Sequence, residues 1–345
     1  MDLTGFLVEY VETSFGGVAV ILLSVVLLVL GFIMLIKGAD LFVENASKFA
    51  VMLKVPLIVI GLTIVAFGTS APEAAISITS VCQSDAAAGA GISIGNVIGS
   101  NIMNILIILG ISALFAVLPV KKETFRYEIP FVIFITVVLL LLGLDGDIGK
   151  LDAVILLILF AAFFVYLIIL SKKGDASGAD EVAELTEKDT VLSMTIFVLI
   201  GLVMIVVGSD FTVAGATKIA EALGVDSRLI GLTVVAFGTS LPELVTCVTA
   251  AKKNAVDIAI GNIIGSNIFN ILFVAGLAGL VAPTPIGFQP SFIIDACVAI
   301  FAAVLLFLCV LKDRKLGRVG GAIMIGSYAV YFVYLILQPM ILATA

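Results

Sequence analysis

The stretch Gly61 to Glu73, GLTIVAFGTSAPE, returns almost unchanged at Gly231 to Glu243 as GLTVVAFGTSLPE. Both copies lie inside runs apolar enough to cross a bilayer. Yet each carries Gly, Pro, two hydroxyls and one carboxylate, which a plain spanning helix avoids. A charged side chain at the centre of such a helix costs roughly 2.5–3.5 kcal/mol even on a lenient insertion scale. Acidic residues persist there for a function, and two of them in one repeated phrase describe one site built twice.

Composition places the chain in the membrane. Of 345 residues, 62% are hydrophobic and 12% charged, against about 45–50% and about 25% in soluble domains. The net charge of −7 is spread over short loops, and no basic run suggests nucleic acid. Histidine is absent, which removes the usual general base and the commonest transition-metal ligand. Cys82, Cys247, Cys297 and Cys309 have neither metal nor redox spacing and read as inert buried residues. The N-terminus lacks the positive region of a secretory signal.

Ten windows are long enough to span about 30 Å of hydrocarbon: 17–43, 57–80, 90–117, 127–144, 151–171, 191–219, 228–250, 257–282, 290–311 and 319–340. They predict an all-α integral membrane fold. One polar linker, 173–190, separates a first half, 1–172, from a second, 191–345. With the N-terminus outside, fourteen Lys and Arg fall inside and three outside, so both termini are expected outside the plasma membrane.

The halves repeat beyond the signature. At an offset of 170, Gly31 matches Gly201, Gly38 matches Gly208, Asp40 matches Asp210 and Glu73 matches Glu243. After a four-residue slip, GNVIGSNIMNIL at Gly95 to Leu106 matches GNIIGSNIFNIL at Gly261 to Leu272. Copies offset by five spans must be inverted, the architecture of many secondary transporters. Asp40 and Asp210 read as residues that position helix ends, Lys48 as an interfacial anchor and Asp295 as structural.

On one helix, Thr69, Ser70 and Glu73 share a face. Pro72 has no N–H, so the carbonyl of Gly68 loses its helical donor and a break is expected near Gly68, freeing carbonyls from about Ala66. Gly238, Thr239, Ser240, Pro242 and Glu243 repeat the device. Asn96, Ser100 and Asn104, and likewise Asn262, Ser266 and Asn270, form polar stripes spaced by four. Carboxylates, hydroxyls, amide oxygens and carbonyls make a hard-cation site, suited to Ca²⁺ or Na⁺. Two carboxylates balance one divalent or two monovalent ions.

These paired motifs resemble the two repeats of the calcium/cation antiporter superfamily, in particular its prokaryotic sodium/calcium exchangers, and the resemblance covers all ten spans. It implies ten helices in two inverted five-helix halves, exchange of Ca²⁺ for Na⁺ or another monovalent cation by alternating access, and no cofactor. The implied ion ligands are the carbonyl of Ala66 with Thr69, Ser70, Glu73, Ser100 and Asn104, and the carbonyl of Ala236 with Thr239, Ser240, Glu243, Ser266 and Asn270. Some sodium/calcium exchangers carry Asp where this chain has Asn270. The family likeness also suggests that spans one and six slide as a gate. Alternative readings are a proton- or potassium-linked exchanger of the same fold and a passive cation channel. A membrane enzyme is disfavoured, because no nucleophile–base pair is present.

Overall fold

The computed structural model describes residues 17–82, 86–173, 185–186, 189–223 and 236–344; the side chains of Ala236 and Thr239 are not among those described. The described residues are helical apart from four two-residue strands, turns and short connections. Its long helices are α1 (Gly17–Leu53), α2 (Leu57–Thr69), α3 (Ala71–Ser80) and α4 (Ala86–Met103). There follow α5 (Thr124–Asp145), α6 (Lys150–Lys173) and α7 (Val191–Ala222), then the turn α8 (Ala236–Thr239) and α9 (Leu241–Lys252). The chain ends with α10 (Val256–Ile268), α11 (Pro290–Val310) and α12 (Arg318–Thr344). α4 runs on through a π-helical segment, Asn104–Leu109, to Phe115, and α10 through another, Phe269–Val274, to Val281.

Among the described residues eight helices are long and apolar enough to cross a membrane, and the bent pair α2–α3 makes a ninth if taken as one span. The first part of the expected seventh span, 228–235, lies outside the described residues. Length and hydropathy set the layering. The α4 and α10 spans are 78% and 83% buried in their most apolar windows and form the centre; α1 and α7, at 28% each, form the periphery. The apolar side chains that α1, α6, α7 and α12 expose, among them Leu22, Ile158, Leu192 and Val330, face the lipid-solvated rim.

Glycine contacts along two helix seams fix the layers. A Cβ built on Gly61 would lie 3.0 Å from the Cα of Gly261, so α2 and α10 touch backbone to backbone in the core. At the periphery Gly31 packs on Gly208, Gly38 on Gly201 and Gly215 on Ser24, so α1 and α7 run antiparallel. Small residues permit this approach, which is how helices associate without a hydrophobic drive between them. Two short antiparallel pairings, Leu118–Pro119 with Lys315–Leu316 and Asp147–Ile148 with Ile286–Gly287, tie loops of one half to loops of the other.

Several side chains differ from the sequence expectation. Lys48 is no simple anchor: its Nζ lies 3.3 Å from both Glu44 and Asp189, joining α1 to the segment before α7. Asp189 also accepts the Thr186 backbone N–H, which holds its carboxyl below the usual carboxylate range. Asp40 pairs with Lys253 at 3.4 Å, linking α1 to the end of α9. Cys247 is buried, but Cys82, in the turn after α3, and Cys297, on α11, are exposed. Asp295 accepts the Tyr331 hydroxyl at 2.9 Å, a tie between α11 and α12 in keeping with a structural role.

Candidate ion-binding site

Both signature motifs break at the same residue. Ser70 (φ −84°, ψ 7°) divides α2 from α3, and Ser240 (φ −93°, ψ 4°) divides α8 from α9; the first break bends the span by 50°. The break falls two residues beyond the expected Gly68. The reason is steric and economical: Pro72 and Pro242 then occupy the first helical turn, where a missing N–H costs least. The carbonyl of Ala66 is not free, since it accepts the Ser70 N–H at 3.0 Å. That bond engages one lone pair of an oxygen that has two. In the second motif Ser240 N–H turns instead to Phe237 O at 3.2 Å.

The break also places Glu73 and Glu243 in the first turns of α3 and α9. A helix N-terminus favours a negative group there. Serine at such a position ordinarily caps its own helix. Ser70 instead donates its hydroxyl to Glu243 Oε1 at 3.1 Å, across the two halves. Thr69 donates to Asn262 Oδ1 at 3.0 Å, again across the halves.

The asparagine stripes interlock in the same way. Asn101 Nδ2 donates to the carbonyl of Asn267 at 3.2 Å, and Asn267 Nδ2 donates to that of Asn101 at 3.3 Å. Asn104 Nδ2 donates to Asn267 Oδ1 at 3.0 Å; Asn270 Nδ2 donates to Ser100 Oγ at 3.2 Å and Asn101 Oδ1 at 3.4 Å. With their amide nitrogens so occupied, Asn104 and Asn270 are left presenting Oδ1. Asn104 and Asn270 both sit in π-helical segments, which recur at functional sites.

Glu73, Glu243, Ser70, Ser240, Ser100, Ser266, Asn104 and Asn270 are all buried. Burial without a partner is costly for a polar atom, about 1–3 kcal/mol. Yet Glu73 Oε2, Glu243 Oε2, Asn104 Oδ1, Asn270 Oδ1 and Ser266 Oγ have no hydrogen-bond partner among the described residues. Two residues of the first repeat, Glu73 and Asn104, and three of the second, Glu243, Asn270 and Ser266, thus offer unclaimed oxygen. Buried oxygen lone pairs beside two carboxyl groups are the chemistry that suits a hard cation.

Some expected stripe residues do something else. Asn96 holds the α3–α4 contact, donating to Glu73 O at 3.1 Å and Ser77 Oγ at 2.8 Å. Three participants escaped the sequence reading. Asn101 and Asn267 were inside the quoted motif, three residues before Asn104 and Asn270, and i,i+3 spacing could have found them. Ser209 on α7 donates to the carbonyl of Gly238 at 2.7 Å, the oxygen that Pro242 deprives of its helical donor. The first-half match to Ser209 is Ala39, so no repeat signal marked it.

The family model for sodium/calcium exchanger protein matches residues 23–169 and again 193–337. The chain belongs to that family. It is 35% identical to the putative antiporter CaxA of Alkalimonas amylolytica, over 90% of this chain and 98% of that one. It is 31% identical to the sodium/calcium exchanger MaX1 of Methanosarcina acetivorans, over 91% and 99%. Among solved structures, that of the sodium-calcium exchanger NCX_Mj soaked without Na⁺ and Ca²⁺ superposes with TM-score 0.77 at 34% identity, covering 91% of this chain and 99% of that one. The protein is accordingly a multi-pass membrane protein of a cation-exchanger family, and that family is one of transporters.

Proposed function

We propose that this family member exchanges Ca²⁺ for a monovalent cation, Na⁺ before H⁺ or K⁺, at a mid-membrane site shared by its two halves. The observation that carries the reading is the set of buried, unclaimed oxygens on Glu73, Glu243, Asn104, Asn270 and Ser266. Thr69, Ser70, Ser100 and Ser240 flank them, with the carbonyls of Ala66 and Ala236 and the Thr239 hydroxyl completing the proposed ligands. Two carboxylates neutralise one Ca²⁺ or two Na⁺, so either load leaves the site near neutral, and competition between the loads is what exchange requires. CaxA and MaX1, by their names an antiporter and a sodium/calcium exchanger, support it.

The proposed frame is ten spans in two inverted five-helix halves, 1–172 and 191–345, joined by the linker 173–190. Two observations support it. Gly31 and Gly38 contact Gly208 and Gly201, each meeting the repeat of the other. Asn101 and its repeat Asn267 exchange reciprocal hydrogen bonds. Both patterns are what a local two-fold axis produces. In this frame α1 and α7, held to each other by glycines, slide across the site to open one side at a time. Both termini are placed outside the plasma membrane by the lysine and arginine count.

The test is flux into vesicles of purified protein. Radioactive Ca²⁺ uptake should require an opposing Na⁺ gradient and stop when choline replaces Na⁺. Uptake with no counter-ion gradient would mark a channel; dependence on K⁺ or on a pH step alone would reassign the coupling ion.

A further inference from the structure

Away from the paired motifs, one carboxylate remains unexplained. Glu128, on the first turns of α5, is 1% exposed. Its Oε1 accepts the Tyr166 hydroxyl of α6 at 3.1 Å, while its Oε2 has no partner among the described residues. None of the described Lys or Arg residues pairs with it: Lys121 is held by Asp257 at 2.6 Å, and Arg126 lies over the Tyr127 ring at 5.9 Å. Glu128 lies buried at the edge of a cavity of about 280 Å³ between α5 and α6, which it lines together with Tyr127, Phe131, Ala162, Phe163 and Tyr166. The Phe131 and Phe163 rings stack at 5.5 Å and Phe163 meets Tyr166 at 6.0 Å, so the wall is a continuous aromatic surface.

A buried carboxylate among aromatic faces recognises a cation, through charge and through the ring quadrupoles. A hard metal ion fits poorly, since it wants about six or more oxygens and this pocket offers one carboxylate and one hydroxyl. An organic ammonium fits both features. The unclaimed Oε2 needs a donor, which selects a primary ammonium over a quaternary one.

Position indicates where such a group comes from. Glu128 lies four residues after the start of α5 and Tyr166 seven before the end of α6. At about 1.5 Å per residue both are about 6–10 Å inside the helix ends, at the boundary between headgroups and acyl chains. The mouth faces outward, where Tyr127 and Ala162 are exposed. Lys122, Arg126 and Lys172 are exposed at the same ends of the two helices, placed for a phosphate. We propose that this pocket binds the primary ammonium of an ethanolamine phospholipid headgroup on Glu128, with its phosphate among these basic residues.

The experiment is lipid retention. The full-length protein is reconstituted in nanodiscs holding equal phosphatidylethanolamine and phosphatidylcholine, then extracted, and the lipid it carries is counted by native mass spectrometry. The wild type should retain the ethanolamine lipid about tenfold over the choline lipid. Glu128→Gln should erase the preference, and so should Ala162→Phe, which fills the mouth from its exposed side and leaves the carboxylate in place. Equal retention of both lipids by the wild type overturns the proposal, as does an unchanged preference in Ala162→Phe. Water-soluble ethanolamine is the second arm: if it displaces the lipid at millimolar concentration, the pocket serves a free amine and the lipid assignment falls.

Discussion

Glu73 and Glu243 supply the only carboxylates among the proposed ligands, and each leaves one oxygen unclaimed. Glu73→Gln and Glu243→Gln keep shape and burial but remove half the charge opposing a divalent ion. Each should lower Ca²⁺ exchange at least a hundredfold, with normal elution and melting; near wild-type exchange by either variant would sink the site. Asn270 tests the site from another side. Its Nδ2 donates to Ser100 and Asn101 Oδ1, so Asn270→Asp replaces a donor with an acceptor 3.4 Å from a carbonyl oxygen. The new carboxyl must hold either a proton or a cation. Below its titration it holds the proton; above it, it ionises and adds charge for the cation. Exchange by Asn270→Asp should therefore gain a rise with pH beyond the one that Glu73 and Glu243 give the wild type, with tighter Ca²⁺ binding at the alkaline end. Coincident profiles across the acidic range would remove position 270 from the site. The carboxylates and hydroxyls were legible in sequence because polarity in an apolar run has few meanings. Ser209 was not, because its role depends on where α7 crosses the Gly238 carbonyl, and crossings leave no mark in one strand of sequence.

At the scale of helices, the break at Ser70 does more than bend a span. It turns the serine hydroxyl away from its own helix toward Glu243 and places Glu73 in the first turn of α3. Sequence reasoning reached the break through Pro72 but set it at Gly68, because a proline's missing N–H points to residue i−4 whereas helix geometry prefers proline in a first turn. The π-helical segments at Asn104 and Asn270 were beyond reach: an extra residue in a helical turn changes no composition or period that a short window can register. Pro72→Ala restores a backbone donor for the Gly68 carbonyl. Because Pro72 occupies a first-turn position, the gain in stability should be small, a melting shift of a few degrees. Weakening the break should misplace Ser70 and Glu73 and lower Ca²⁺ affinity about fivefold, the equivalent of one lost hydrogen bond of about 1 kcal/mol. Calorimetry of the purified variant measures both, and unchanged affinity would show that ion binding does not depend on the proline-imposed break.

Across the whole molecule, the polar contacts that shape the site run between halves: Thr69 with Asn262, Ser70 with Glu243, Asn104 with Asn267. On the proposed ligand set, neither half assembles the site alone. A chain cut within the linker 173–190 should regain Ca²⁺ exchange when both pieces are co-expressed, to at least a third of the intact rate. Either piece alone should give none. Exchange by one piece would mean that each half holds a complete site. The proposed division rests on the repeat itself, since matched residues at a constant offset announce two units. Which residues meet across them was not readable, because an offset says what is equivalent and nothing about what is adjacent.

The 173 residues between Ser70 and Glu243 also set a clock. A ribosome adds about 5–20 residues per second, so roughly 10–35 s pass between the synthesis of the two. Throughout that interval the first broken span is in the nascent chain with Glu73 and no partner half to receive it. The newborn half must keep that carboxylate protonated, shield it at the insertion machinery, or hold the span near the surface until the second half arrives. Assembly of the proposed ion site therefore waits on the second half, and a chain that stalls before Glu243 carries an unpartnered acidic span for quality control to recognise.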